Sequence, residues 1–314
     1  MRSPLVLLTT IAVAIVALVF AIPRIFAAPG PPPVARASLP PALSSYLGVF
    51  EDGAPPAYQP LDTFAKAAGR PPNLVGYFSG LVQPFDTAFA NSVNKHGAIL
   101  FVQIDPTYAS VPAIAAGDYD TYLRKYADSV RNFGHPVVIG FGQEMNGNWF
   151  PWSSVDPHTF VAAWRHIVTL FRGEGARNVT WLWTINAADR PGVRPAAPWW
   201  PGPDYVTWIG IDGFYFRPSD TFRSIFAGTI RQVRSFNKPV LLSETGVGPR
   251  AGQFIKIEDL FKGMTRFKTL GLVWFDETQH AGIYHQDWRI EDNRGALAAF
   301  SFGVRNHLKP APPR

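Results

Sequence analysis

Eight short apolar runs punctuate the chain, and longer amphipathic stretches separate them. The runs are YLGVF (46–50), NLVGYF (73–78), GAILFVQI (97–104), PVVIGFG (136–142), NVTWLWTI (178–185), VTWIGIDGF (206–214), KPVLLSE (238–244) and GLVWFDE (271–277). Runs this continuous have no polar face to give to water, so they predict strands of a parallel sheet covered on both sides. The stretches between them read as helices over 118–134, 158–175, 221–236 and 256–271. In the second of these, Phe160, Ala163, Trp164, Ile167, Val168 and Phe171 recur at three- and four-residue spacing, one face of a 3.6-residue period. Asp156 and Pro157 suit its start, and Gly173 or Gly175 its end. Eight such strand-helix units predict a single α/β domain, a (β/α)8 TIM barrel over 45–308. The rival, an open doubly wound sheet, would carry a G-x-G-x-x-G phosphate loop after an early strand, and GVFEDG and GYFSG do not supply one.

The amino terminus is of another kind. Residues 5–22 are uncharged and long enough to cross a bilayer, with Arg2 before them and Pro23 and Arg24 after. Residues 1–27 are therefore expected to be a signal peptide or a membrane anchor, with the balance toward an uncleaved anchor and an extracytoplasmic domain. Residues 28–44 are proline-rich and read as a semi-rigid linker. The tail, 309–314, is expected to be disordered. The net charge of +6 is scattered, with no basic stripe, so no nucleic-acid partner is expected. The absence of cysteine removes disulfides and thiolate chemistry, and the seven histidines show no metal-ligand spacing. No metal and no cofactor are expected, and the domain is expected to be a monomer.

In a barrel, functional side chains gather at the C-terminal ends of the strands, because the loops there converge on one mouth. Those ends carry Glu51, Asp52, Ser79, Gln103, Asp105, Gln143, Glu144, Asn186, Asp212, Glu244, Asp276 and Glu277. Glu144 closes the fourth strand inside GQEMNGNWFPW (142–152), among amides and two tryptophans. Glu244 ends the seventh inside LLSETG (241–246). Two carboxylates across one mouth can cleave a glycosidic bond, one protonating the departing oxygen and the other attacking the anomeric carbon or activating water. Indoles match the C–H faces of sugar rings, and amides match their hydroxyls. The alternative for each acid is a salt bridge or a loop cap.

GQEMNGNWFPW resembles the acid/base motif of glycoside hydrolase family 26, whose β-mannanases carry H-E-M-N-G-x-W after the fourth strand. VTWLW (179–183), WWPGPDYVTWIGIDGF (199–214), LLSETG (241–246) and LVWFD (272–276) follow in the matching order. The resemblance implies a retaining double-displacement endo-β-glycosidase acting on a β-linked polysaccharide, foremost β-1,4-mannan. It makes Glu144 the acid/base and Glu244 the nucleophile. It makes Trp149 a substrate platform and Trp274 the floor of the subsite for the cleaved sugar. Gln143, Asn146 and Trp152 join them as substrate-binding candidates. Two positions depart from the pattern: Gln143 replaces His, and Phe214 stands where the family has Tyr, leaving Tyr215 as the candidate to take that role. Those departures keep a mixed-linkage β-glucanase of the same family open, and the expected anchor keeps an exopolysaccharide hydrolase open. The departures also leave open a non-catalytic surface barrel that only binds glycans, and a transglycosylase, which would use the same residues, stays open beside them.

Overall fold

The computed structural model describes residues 39–188, 191–248, 252–278, 286–291 and 293–311. The expected membrane or signal segment, most of the linker and the last three residues of the tail lie outside them. Among the described residues no helix is long and apolar enough to cross a membrane.

All eight apolar runs form strands: β1 (Tyr46–Glu51), β2 (Leu74–Gly80), β3 (Ile99–Asp105), β4 (Val137–Phe141), β5 (Val179–Asn186), β6 (Trp208–Tyr215), β7 (Val240–Val247) and β8 (Gly271–Asp276). They pair in parallel in chain order, and β8 returns to β1, closing the barrel. Among the described residues nine helices cover it: α1 (Gln59–Ala68), α2 (Thr87–Lys95), α3 (Val111–Ala116), α4 (Asp120–Phe133), α5 (Pro157–Gly173), α6 (Phe222–Ile225), α7 (Ala227–Val233), α8 (Gln253–Phe267) and α9 (Arg294–His307). The expected helix over 221–236 is broken into α6, α7 and a final 3-10 turn. β7 runs three residues past Glu244, so that glutamate sits within the strand.

Strand alternation sorts the apolar residues into two layers. Tyr46, Phe50, Phe101, Val138, Leu182, Trp208, Leu241 and Val273 fill the barrel interior. Val49, Val102, Ile139, Trp183, Ile211, Leu242 and Trp274 face the helices. The inner face of α5 packs there through fully buried Phe160, Trp164 and Phe171, and each such burial contributes on the order of 2 kcal/mol. Asp156 caps this helix, its side chain accepting from Thr159 N at 3.0 Å.

Two boundary expectations change. The last part of the proposed linker belongs to the fold: Leu39 is buried in the interior cluster, Tyr46 Oη donates to Pro40 O at 2.7 Å, and Ser44 N donates to Thr269 O at 2.9 Å. A prolyl segment has few donors of its own, yet here its carbonyls and one leucine close the N-terminal end of the barrel. Lys309 is also tied down, its N–H donating to Ser44 O at 2.7 Å and its carbonyl accepting from Arg70 at 3.0 Å.

Candidate active site

The interior turns polar one rung below the mouth. Gln103 Nε2 donates to Thr184 Oγ1 at 3.0 Å, and Ser243 Oγ donates to Asp212 Oδ1 at 2.6 Å. Gly140 makes room for this layer: a Cβ there would lie 1.8 Å from Gln103 Oε1. Above it, Asn186, Asp212 and Glu244 fall on one rung of β5, β6 and β7, and Glu144 joins them just beyond β4, its N–H donating to Thr184 O at 3.0 Å.

Glu144 takes a left-handed backbone, φ +55°, unusual for a residue with a long side chain. The turn is held by Gly147 N donating to Glu144 O at 2.8 Å. Its carboxylate accepts from Trp149 Nε1 at 2.6 Å on Oε2 and from Asn186 Nδ2 at 2.6 Å on Oε1. Trp149 stays 38% exposed, so one face of its indole is open at the mouth while its N–H orients the acid. Its ring lies over Gly147, where a Cβ would meet it at 2.5 Å.

Burial raises the Asp212 and Glu244 carboxyls well above the ordinary range. The charge on Glu144 pushes Asp212 further, and the charges on Asp212 and Glu144 push Glu244 further. Three acids crowded in one buried site oppose one another's ionisation. Glu244 Oε1 is buried with no partner among the described residues. Asp105, at the end of β3, is pushed up to about 7 by burial, and a hydrogen bond from Gln143 pulls against that rise. Gln143 is itself buried and turned to this acid.

Four of the expected substrate contacts lie in packed or hydrogen-bonded places rather than on an open face of the mouth. Trp274 is fully buried on the outer face of β8, its ring against Phe300 of α9 at 4.9 Å and its Nε1 donating to Asp276 and to Trp288 O. The inward residue at that end is Phe275, beside Phe50 and Phe214. Tyr215 likewise faces outward: its hydroxyl donates to Asp259 of α8 at 3.1 Å, and Phe214 takes the inward place. Trp152 is buried, stacked on Phe150, and donates to Gln143 O at 2.8 Å, so it props the turn from below. Asn146 spends its amide on backbone: Oδ1 accepts from Asn186 N at 2.8 Å, and Nδ2 donates to Asn186 O and Arg194 O.

Sequence reasoning gave Asp212, Asn186 and Asp105 no role beyond standing at strand ends. It missed Arg194, whose guanidinium donates to Met145 O and Gly147 O at 2.8 and 2.7 Å, donates to Ser153 O, and lies 4.4 Å from the Trp199 ring. No spacing signal marks a lone arginine in a loop that folds back on a turn about 48 residues earlier.

The chain is similar to known proteins along most of its length. Endoglucanase H of Acetivibrio thermocellus is 27% identical over 266 residues, 79% of this chain and 29% of its own length. Beta-1,3-xylanase TXYA of a Vibrio species is 24% identical over 213 residues, 67% of this chain and 40% of its own length. The chain thus spans well under half the length of these relatives. Among solved structures, Bacillus subtilis mannanase BCman superposes with a TM-score of 0.64 at 17% identity, covering 87% of this chain and 91% of that one. The GH26 beta-mannanase of Bacteroides ovatus gives 0.60 at 15% identity, covering 84% and 89%. At such identities the likeness is one of fold. The sequence profile of Glycosyl hydrolase family 26 matches residues 89–305, from α2 through α9, and so takes in both glutamates, Trp149 and the paired rungs that hold them; the chain belongs to that family.

Proposed function

We propose that the chain is a retaining endo-β-glycosidase that hydrolyses a β-linked polysaccharide by double displacement. The observation that carries this reading is the joint placement of Glu144 and Glu244 at one mouth, each buried and within reach of the other's charge. In the first half-reaction Glu244 attacks the anomeric carbon, the glycosidic C–O bond breaks, and Glu144 gives its proton to the departing oxygen. In the second, Glu144 takes a proton from water, the hydroxide adds to the anomeric carbon, and the Glu244 ester bond breaks. Trp149 serves twice, orienting Glu144 through its N–H and offering an open ring face to the sugar.

The polymer is proposed as β-1,4-mannan. A β-glucan is the second reading, and specific observations favour it: Gln143 and Phe214 replace residues of the mannanase motif, and the relative at 27% identity is named an endoglucanase. The apolar run at 5–22 supports export and anchoring of the domain outside the membrane.

The test incubates the full chain, in detergent, with β-mannan, glucomannan, mixed-linkage glucan and β-xylan, and follows new reducing ends beside Glu244→Ala. One polymer should be cut, the variant should be silent yet folded, and the anomer released first should be β. Release of the α anomer would refute double displacement. Binding without new reducing ends would replace the enzyme by a glycan-binding barrel.

A further inference from the structure

The last rung of the β1–β8 seam pairs Glu51 directly with Asp276. Phe50 and Phe275, one residue earlier on each strand, face the barrel interior. Glu51 and Asp276 therefore both point outward, away from the mouth, toward the segment that leads into α9. That segment supplies Glu291, and one oxygen from each of the three carboxylates lies within 4.8 Å of the others. Like charges placed directly opposite on neighbouring strands are destabilising, and a buried carboxylate without a partner is costly.

Two of these oxygens accept from no donor outside the three acids among the described residues; within the cluster, side-chain hydrogen bonds join Asp276 to Glu51 and to Glu291. Asp276 is 1% exposed; its Oδ1 accepts from Trp274 Nε1 at 3.1 Å and from Ile290 N at 3.2 Å, while its Oδ2 is buried with no donor outside the cluster. Glu51 Oε2 is likewise buried with no donor outside the cluster. The ion pairs found among the described residues join other carboxylates to Arg124, Arg131, His166, Lys262 and Arg289.

We propose that Glu51, Asp276 and Glu291 form a site for one hard divalent cation, Ca2+, on the outer face of the barrel seam. All three donors are carboxylate oxygens, with neither imidazole nor thiolate, which selects a hard ion over zinc or copper. Oxygens bound at about 2.3–2.6 Å stand at most about 5 Å apart across the ion, and the observed spacing fits within that limit. Water and backbone carbonyls would complete the six to eight oxygens such an ion takes. The ion would pin the segment before α9 to the seam. That segment carries Trp288, whose ring lies 4.8 Å from Phe214 and covers Gly246, two residues after Glu244. The site thus braces the wall of the mouth without entering it.

The experiment strips the full chain with a chelator and measures thermal unfolding with no ion, with Ca2+ and with Mg2+. It also follows Tb3+ luminescence sensitised by Trp274, whose indole bonds Asp276. Calcium at about a hundred times its Kd should raise Tm by about 5–10 °C, and Mg2+ should do less. Asp276→Asn should abolish both the shift and the luminescence. Glu291→Gln, on the segment outside the barrel strands, should do the same where Asp276→Asn fails to fold. A Tm indifferent to chelator and calcium, with no Tb3+ signal, would overturn the proposal in favour of a proton shared among the acids. So would a calcium shift that survives Glu291→Gln. A Mg2+ shift as large as that of Ca2+ would overturn the calcium assignment. None of these readouts depends on glycosidase activity.

Discussion

Replacing Asp105 by Asn tests the electrostatics of the mouth through stability and turnover together. Burial lifts this carboxyl from 3.8 to about 7, against the pull of its Gln143 hydrogen bond. In the unfolded chain it would lose its proton near pH 4. Between those values the folded state holds a proton that the unfolded state has released, so stability falls as pH rises. The contribution is fully present below pH ~4 and lost by the time pH passes ~7. Three pH units at about 1.4 kcal/mol each give a loss on the order of 4 kcal/mol. Asparagine cannot ionise. Its amide can donate to Gln143 Oε1, which is buried and without a partner among the described residues.

Denaturant unfolding of both proteins near pH 4 and near pH 8 reads this directly. The stability difference should swing toward Asp105→Asn by on the order of 4 kcal/mol over that interval. The variant also removes one of the negative charges that raise Glu244, so the acid limb of turnover should move to lower pH. A stability difference that stays constant with pH would refute the reasoning, because it would mean that Asp105 ionises as freely in the folded protein as in water.

Trp149→Phe keeps a ring at the mouth and deletes the 2.6 Å bond to Glu144. A hydrogen bond to a charged group is worth about 1.5–3 kcal/mol, so kcat should fall about 10- to 150-fold while KM changes little. Trp274→Phe should destabilise by about 1–3 kcal/mol through loss of its bonds to Asp276 and Trp288. KM should stay put; a large KM rise in a protein of unchanged stability would return that ring to the substrate. Arg194→Met strands the carbonyls of Met145, Gly147 and Ser153. Thermal denaturation should show a loss of about 1–3 kcal/mol, and turnover should drop with it, because those carbonyls belong to the turn that seats Glu144.

The strands were legible because a strand buried on both faces leaves an unbroken apolar run, and the motif spacing led to Glu144, Trp149 and Glu244 because each lies in a short local segment. Which way a side chain points at the end of a strand was not legible, since that depends on register with a neighbour. Leu241 faces the interior and Leu242 the helices, so strict alternation would send Ser243 in and Glu244 out. The pairing shifts between Leu242 and Thr245 against β8, and between Gly210 and Asp212 against β6. Those irregularities bring Glu244 level with Asp212 while Ser243 still reaches the same carboxylate. Bulges near functional sites re-aim side chains in this manner. Along β8 the pairing with β1 is regular through Asp276, so nothing re-aims Trp274, and it keeps the outward side that alternation assigns. A bulge of one residue is therefore what separates an acid delivered to the mouth from an indole buried behind it, and no residue type in LLSETG or LVWFD announces which strand will have one.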